Sequence, residues 1–434
     1  MSFKPLILAL SVAFSPIAFG GNLSDAYRAA AVHDATYAAA QSAYRAAQER
    51  IPQARAGLLP NIGLNANTRY NDVEGSLFSD EFNSNSWGVQ AVQPIYRAQN
   101  FVSYGQAKVS VQQAEYQLKA SEQGLILRTA RAYIDVLAAQ DNLAFTLAQK
   151  DAFAEQLASA KRNFEVGTAT VVDTHEAQAR YDLAFSQEIT ARNVLEIKRR
   201  ALRNLTGREV NTLATLTPEP MPFAPDPANV DEWVSLSQQD NLDVRIRQQA
   251  KEIADKEIDR TRAGHHPTLD LTAGYTDASN QNFGTVQIDT KSTVIGLEFA
   301  LPLYQGGLVS SQVREAVANQ ERVRQELEDA LRNAALQTRD AYYNVLSTQS
   351  QVKALEAALA SSVKSLESTQ VGLEVGVRTN IDVLNAQQQV TSAQKDLALA
   401  RYLSLLALLD LKASAGTLTA ADLEYIDGML VATQ

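Results

Sequence analysis

The chain is one unit written twice, and that duplication limits its possible folds more than any other feature. Gly57 and Pro60 recur as Gly264 and Pro267, an offset of 207 (264 − 57). Pro94 and Tyr96 recur as Pro302 and Tyr304 at 208 (302 − 94). Ala132-Tyr133, Glu165-Val166-Gly167, Asp173, Ala177-Gln178 and Gly207 fall on Ala341-Tyr342, Glu374-Val375-Gly376, Asp382, Ala386-Gln387 and Gly416, all at 209 (416 − 207). An offset that drifts so little marks a repeated supersecondary unit. Asn22 and Asn229 each precede an acidic residue three positions on, which predicts two helix starts with a variant capping box. Between the halves, residues 217–229 hold five of the twelve prolines, so this run is neither helix nor central strand but an extended connector. The expected division is 1–20, a signal peptide; 21–212, a first repeat; 213–229, the connector; 230–416, a second repeat; and 417–434, a C-terminal segment.

Proline also locates the long elements, being absent from residues 95–217 and after Pro302. Both stretches are rich in Ala, Gln, Leu, Glu and Arg, which favour helix. Leu118 and Leu125, then Val345, Val352, Leu359 and Leu366, then Val383, Val390 and Leu397 recur at heptad spacing. Helices are predicted near 100–164, 170–206, 308–373 and 379–415, turning at Val166-Gly167-Thr168 and Val375-Gly376-Val377. A 60-residue helix is roughly 90 Å long at 1.5 Å per residue. Shorter helices are predicted near 23–55 and 230–262, and a last one near 419–430.

Between short helix and hairpin the period changes to two. Ile62, Leu64, Ala66 and Tyr70 share one strand face, as do Trp87, Val89, Ala91 and Ile95. Leu269, Leu271, Ala273 and Tyr275 form a third such face, and Ile295, Leu297, Phe299 and Leu301 a fourth. Each strand is about ten residues with a small or polar opposite face, the pattern of a tilted transmembrane β-strand. Residues 71–85 and 277–289 are polar and acidic and are expected to be surface loops. Tyr70, Trp87, Tyr96, Tyr275 and Tyr304, at or near strand ends, suit an interfacial aromatic girdle, with packing at the junction of strands and helices the competing account for Tyr96 and Tyr304.

Residues 1–20 carry one lysine, an apolar run and small residues at the end, the form of a secretory signal peptide. Beyond them no stretch reaches the ~20 apolar residues of a spanning helix, so strands must make any membrane crossing. With 39 Lys+Arg against 49 Asp+Glu the charge is -10, which disfavours nucleic acid as a partner. The absence of cysteine removes disulfides, thiolate metal sites, a nucleophilic thiol and a lipid-anchor cysteine. The four histidines lack helical ligand spacing, and His265-His266 are expected on the surface, so no metal, cofactor or enzyme activity is expected. Asp141, Asp151 and Glu155 are expected on a solvated helix face.

Four strands cannot close a barrel, and hydrocarbon does not tolerate an open edge. The chain is therefore expected to oligomerise: two copies give eight strands with a filled interior, three give twelve with room for a lumen.

The tandem hairpins, the Gly-x-x-Pro before each first strand and the paired V-G…D turns resemble the TolC family of outer-membrane export ducts. Residues 375–386 are similar to that family's hairpin tip, as are Ala415-Gly416-Thr417-Leu418 near the end. The resemblance implies a mainly helical protomer with a small β part. It implies a homotrimer that forms a 12-stranded barrel in outer-membrane lipid and continues as a periplasmic tunnel of helical hairpins. It also implies opening by a periplasmic adaptor and an inner-membrane ABC or proton-driven transporter, for multidrug efflux or type I secretion. By the same resemblance Asp173 and Arg378 correspond to a gate link, and Asp382 to an entrance acidic ring whose second position is Asn385. The gate tyrosine position is Leu373, which with Asn385 implies a weaker latch and a weaker cation block. A secreted coiled-coil scaffold or adhesin without a lumen, and a periplasmic enzyme on a helical frame, are the competing readings. The strand pattern and paired tips count against the first, and the lack of any catalytic constellation against the second.

Overall fold

The computed structural model describes residues 21–76, 79–209, 213–216, 225–283 and 286–431. The expected signal peptide and residues 217–224 of the connector lie outside them. The first repeat runs α1 (Leu23–His33), α2 (Ala35–Gln48), α3 (Arg50–Ala56), β1 (Asn61–Glu74), β2 (Ser79–Arg97), α4 (Ala98–Glu165) and α5 (Val171–Thr206), followed by β3 (Thr215–Leu216). The second runs α6 (Val230–Asp240), α7 (Leu242–Arg262), a 3-10 turn (Ala263–His265), β4 (Thr268–Phe283), β5 (Val286–Ala300), α8 (Leu308–Glu374) and α9 (Asn380–Ser414). Last come α10 (Ala421–Asp427) and β6 (Leu430–Val431).

The long helices lie within two residues of their predicted limits, and α4 with 68 residues spans about 100 Å. The short helices differ from expectation: each is broken by a polar cap, and the first is broken again at Glu49, which makes no side-chain cap. Asp34 accepts the Tyr37 amide at 2.7 Å, and Asn241 accepts those of Asp243 and Val244 at 3.0 and 3.2 Å. Asp and Asn compete for backbone amides and so end a helix and restart it. The two caps are repeat partners, at the offset of 207 (241 − 34). The caps expected at the repeat starts diverge. Asn229 accepts the Asp231 amide at 3.0 Å and donates to Glu232, whereas Asn22 makes no side-chain cap. Asp427 replaces it, accepting the Leu23 and Ser24 amides at 2.7 and 3.0 Å from the far end of the chain.

The four long strands form one antiparallel sheet in the order β1-β2-β4-β5, and β3 pairs with β6 in a separate two-stranded ladder. Register puts Ile62, Ala91, Ala273 and Ile295 in one row and Leu64, Val89, Tyr275 and Thr293 in the next, on the same face. That face is bare in the protomer: Leu64 is 73% and Ile295 74% exposed. The opposite face carries Gly63, Asn65, Gln90, Gly274, Ser292 and Gly296, with Val92 and Val294 among them. The apolar band ends above at an Asp277–Lys291 ion pair of 3.7 Å beside the rings of Trp87 and Tyr275, which meet at a tilt of 52° with centroids 5.4 Å apart. From Lys291 to Leu301 is about 33 Å of strand, or roughly 25 Å of membrane depth at a tilt near 40°. Below, Tyr96 bonds the exposed His266 at 3.2 Å, and Tyr304 is exposed.

All four strands are longer than expected, at 14, 19, 16 and 15 residues. Most of the segments read as loops are polar hairpin extensions beyond the apolar band, because backbone ladders need no apolar side chains to continue. Tyr70 belongs to such an extension, donating to Glu81 at 2.6 Å, and not to the band edge. Ile95 also leaves the expected alternation: a bulge between Pro94 and Tyr96 sets Tyr96 opposite Leu269. Just beyond it, Arg97 grips Asp270 with two bonds of 2.9 and 2.5 Å where strand becomes helix.

Below the sheet the helices also lie four abreast. Near the strands α4 packs on α2 and α7, and α7 on α8; further down α4 packs on α5 and α9, and α9 on α8. The core sits where α1, α4, α5, α9 and α10 meet, around Leu23, Ile126, Tyr133, Leu202, Tyr402, Leu405, Leu409 and Leu423. Both repeats use the same tie. The Tyr133 hydroxyl donates to the Gly21 carbonyl at 2.5 Å, and Tyr342 donates to Ala228 at 2.9 Å, each just ahead of a repeat's first helix. No described helix is long and apolar enough to cross a membrane.

Gly207 and Gly416 end α5 and α9 with φ of 69° and 78°, a left-handed backbone that costs an L side chain about 1–2 kcal/mol. A Cβ on Gly207 would press on the His33 ring at 2.6 Å, and a ring can turn; on Gly416 it would overlap the Asp240 carbonyl, which cannot move. Gly416→Ala should therefore shorten the thermal half-life of the detergent-extracted protein much more than Gly207→Ala. Equal effects would show that the α6–α7 junction yields.

Candidate functional site at the hairpin tips

The end of the molecule farthest from the sheet is made by the α4–α5 and α8–α9 turns. Both have the same architecture. Gly167 and Gly376 follow the helix ends with φ of 78° and 79°. Thr168 and Val377 donate their amides back to Asn163 and Gly372 at 2.8 and 2.9 Å. Thr170 and Thr379 then open the returning helices with complete capping boxes, the side chains of Asp173 and Asp382 accepting the threonine amides at 2.8 and 2.9 Å. The same carboxylates accept the threonine hydroxyls at 2.7 and 2.8 Å. All of these bonds fall on Oδ2 in both residues, and among the described residues Oδ1 of each is left open to a cation.

These bonds set the charge state. The Thr170 hydroxyl, and then its amide, hold the Asp173 carboxyl below the usual carboxylate range. The Thr379 amide, then its hydroxyl and the nearby Arg378 charge, do the same for Asp382. A carboxylate that accepts hydrogen bonds in its charged form resists protonation. The tip thus presents fixed negative charges.

Of the residues singled out in the sequence, Arg378 lies near Asp382 of its own turn. Its stem folds over Gly372, where an added Cβ would come within 2.7 Å of Arg378 Cγ. Among the described residues Arg378 and Asp173 form no ion pair within the protomer. Leu373 is half-buried and gives its carbonyl to the Gly376 amide at 3.0 Å. Asn385 is exposed but engaged: Arg180 of α5 donates to its Oδ1 at 3.0 Å and to Gln388 Oε1 at 2.6 Å.

That Arg180 bridge did not emerge from the sequence, nor did the polar seam above it between the two hairpins. Lys395 donates to Thr146 at 2.9 Å, Tyr402 to Asp141 at 2.7 Å, and Arg131 stands 3.6 Å from Asp410. Burial lowers the Lys395 pKa and raises those of Asp141 and Asp410. Asp141 is therefore a half-buried seam residue and not part of a solvated face, while Asp151 and Glu155 are exposed as expected. The available signal was repeat asymmetry: Arg180 has Gln389 as its counterpart (389 − 180 = 209).

The sequence matches the family described as Outer membrane efflux protein over residues 26–208 and 233–417, stretches that start 207 and end 209 residues apart. It is 33% identical to Outer membrane protein TolC of Vibrio cholerae, over 98% of both chains. It is 30% identical to Alkaline protease secretion protein AprF of Pseudomonas aeruginosa, over 94% of this chain and 87% of that one. In structure it is similar to the Campylobacter jejuni CmeC outer membrane channel, with a TM-score of 0.80 at 17% identity over 94% and 89% of the two chains. The outer membrane protein VceC of Vibrio cholerae superposes with a TM-score of 0.77 at 18% identity over 91% and 96%.

Both tip carboxyls have folded-state values below the usual 3.8. Their contribution to tip stability is thus complete above that pH and fades as pH falls through the folded-state values. Hydrogen-exchange protection at Thr170–Asp173 and Thr379–Asp382, corrected for intrinsic rate, should be flat from pH 7 to about 5 and fall below about 4. Loss of protection already near pH 6 would assign the tip's stability to other groups.

Proposed function

The chain belongs to the outer membrane efflux protein family, as an outer-membrane export duct with a large periplasmic portion, and from that premise we propose how it assembles and is gated. The observation that carries the reading is that every level of the protomer is a row of four with two open edges. The sheet ends in β1 and β5, and the lower helical row ends in α5 and α8. The helical edges expose Leu183, Phe185 and Ile189 on one side and Leu336 and Tyr343 on the other. Three copies, edge to edge, close twelve strands around a lumen and twelve helices beneath it, and cover those side chains. Residues 21–212 and 230–416 are the two repeats of this protomer, joined by residues 213–229, with residues 1–20 removed on export and 417–434 forming the C-terminal segment.

The family and fold are those of passive channels. The duct has no catalytic function of its own, and the energy for transport comes from an inner-membrane ABC or proton-driven transporter coupled through a periplasmic adaptor. The passenger, a small molecule in efflux or a protein in type I secretion, is chosen by those partners. Among the relatives, AprF and PrtF of Dickeya chrysanthemi carry protease secretion in their names.

The tips are the gate. The open Oδ1 of Asp173 accepts Arg378 of a neighbouring protomer, a directional charge-assisted link that an adaptor breaks by spreading the hairpins. Asp382 supplies a ring of three carboxylates that draws cations to the entrance. Asn385 at the second ring position and Leu373 in place of a phenol leave this latch and this ring weaker than the family pattern implies.

Protein extracted in detergent from the outer-membrane fraction should have a native protein mass three times that of the mature chain; a soluble monomer would end the duct reading. In planar bilayers Arg378→Ser should raise single-channel conductance several-fold, and no change would remove the latch. Asp382→Asn keeps the cap acceptor and removes the charge, so it should abolish block by multivalent cations from the periplasmic side. A surviving block would put the cation site elsewhere.

A further inference from the structure

Arg180 is held differently from the other arginines that bridge helices. Arg128, Arg131, Arg247 and Arg401 each reach across to a carboxylate, Asp34, Asp410, Glu326 and Glu356 respectively. Arg180 instead reaches from α5 to α9 and bonds two neutral carboxamides, Asn385 at 3.0 Å and Gln388 at 2.6 Å. Among the described residues it has no salt-bridge partner. Its two amide bonds fix its geometry, and no described carboxylate, including Glu176 and Asp182 of its own helix, forms an ion pair with it.

Its position gives that charge a use. Asn385 is three residues past Asp382 on the same face of α9, about 4.5 Å along the axis at 1.5 Å per residue. The guanidinium is therefore carried about one turn above the acidic position at the tip. Among the described residues it is also the polar bridge between the two hairpins that lies closest to the tip; the next, Lys395–Thr146, is ten residues further along α9 (395 − 385).

We propose that Arg180 is a specificity-determining and positioning residue of the entrance: it straps α9 to α5 within each protomer and sets a ring of positive charge beside the Asp382 ring. Three guanidinium groups against three carboxylates give a mouth close to charge balance. The balanced mouth favours anionic or zwitterionic passengers more than an acidic ring alone would, because an anion no longer meets a field of single sign. Asn385 matters for the same reason, since an aspartate there would pair with Arg180 and restore the acidic excess. The inference rests on the placement of Asp382 at the entrance.

The test is the reversal potential of single channels in a KCl gradient, with native mass checked for every variant. Arg180→Gln should raise the ratio of K+ to Cl− permeability at least about threefold and also raise conductance. Arg180→Lys keeps the charge but cannot hold both amides, so it should leave the permeability ratio unchanged and raise conductance. An unchanged reversal potential in Arg180→Gln overturns the charge role, and wild-type conductance in Arg180→Lys overturns the strap. Asn385→Asp, which leaves the arginine in place, should lower conductance by turning the strap into an ion pair; higher conductance would overturn the strap independently. Asp382→Asn run alongside separates the two claims. If it shifts the reversal potential and Arg180→Gln does not, only the present inference fails; if neither shifts it, the placement of the acidic ring has failed with it.

Discussion

A β-strand edge carries a row of amides and carbonyls that hydrocarbon cannot satisfy, and almost every large feature of this protomer follows from that cost. β1 and β5 each keep one unpaired side, so the sheet is stable in a membrane only when other copies complete it. The helical rows below inherit the same width of four and the same need. Their side chains are chosen accordingly: α5 and α8 keep Phe185, Ile189, Leu336 and Tyr343 exposed, where a monomer of this shape would carry charge. Duplication supplies the rest. One repeat gives half of each row, and two repeats in tandem give rows with equal widths at every level.

The long elements were legible because they answer to local rules. A heptad stripe, helix-favouring composition and absent proline do not depend on distant residues, and all four long helices lie close to where these signals put them. Tertiary partners were not legible. Asn22 has the letters of a cap, yet Asp427 satisfies the amides it would have served, from 404 residues away. Asp141 looks like a solvated charge until Tyr402 of α9 covers it. The strands ran longer than expected because their apolar period reports membrane depth and not hydrogen bonding. At the tips the threonine–aspartate caps follow from a short motif, whereas Arg180 has a role only once α9 is placed beside it.

The repeats have also diverged where they share an architecture. The first hairpin is pinned by a charged cluster, Glu188 taking Lys150 of α4 at 2.8 Å and Arg192 at 2.7 Å, with the acid almost fully buried. At the same place in the second hairpin stand Leu397 and Leu359 (397 − 188 = 209), and the nearest ion pair is Arg401–Glu356 at 2.8 Å. A buried ion pair demands specific geometry, while leucines tolerate sliding. The first hairpin is thus joined by a directional charged contact at a level where the second is joined by apolar side chains.

The contact of Asp427 with the start of α1, together with the pairing of Thr215 with Val431, has a consequence for biogenesis. The long hairpins close through neighbours in sequence and can form while the chain is still being delivered. The central core cannot, because α1 and α10 meet across a sequence separation of 404 residues, and closing so long a loop is slow. Completion of that core therefore waits for the residues around Asp427, and a protomer cut short before them would lack the acceptor that opens α1.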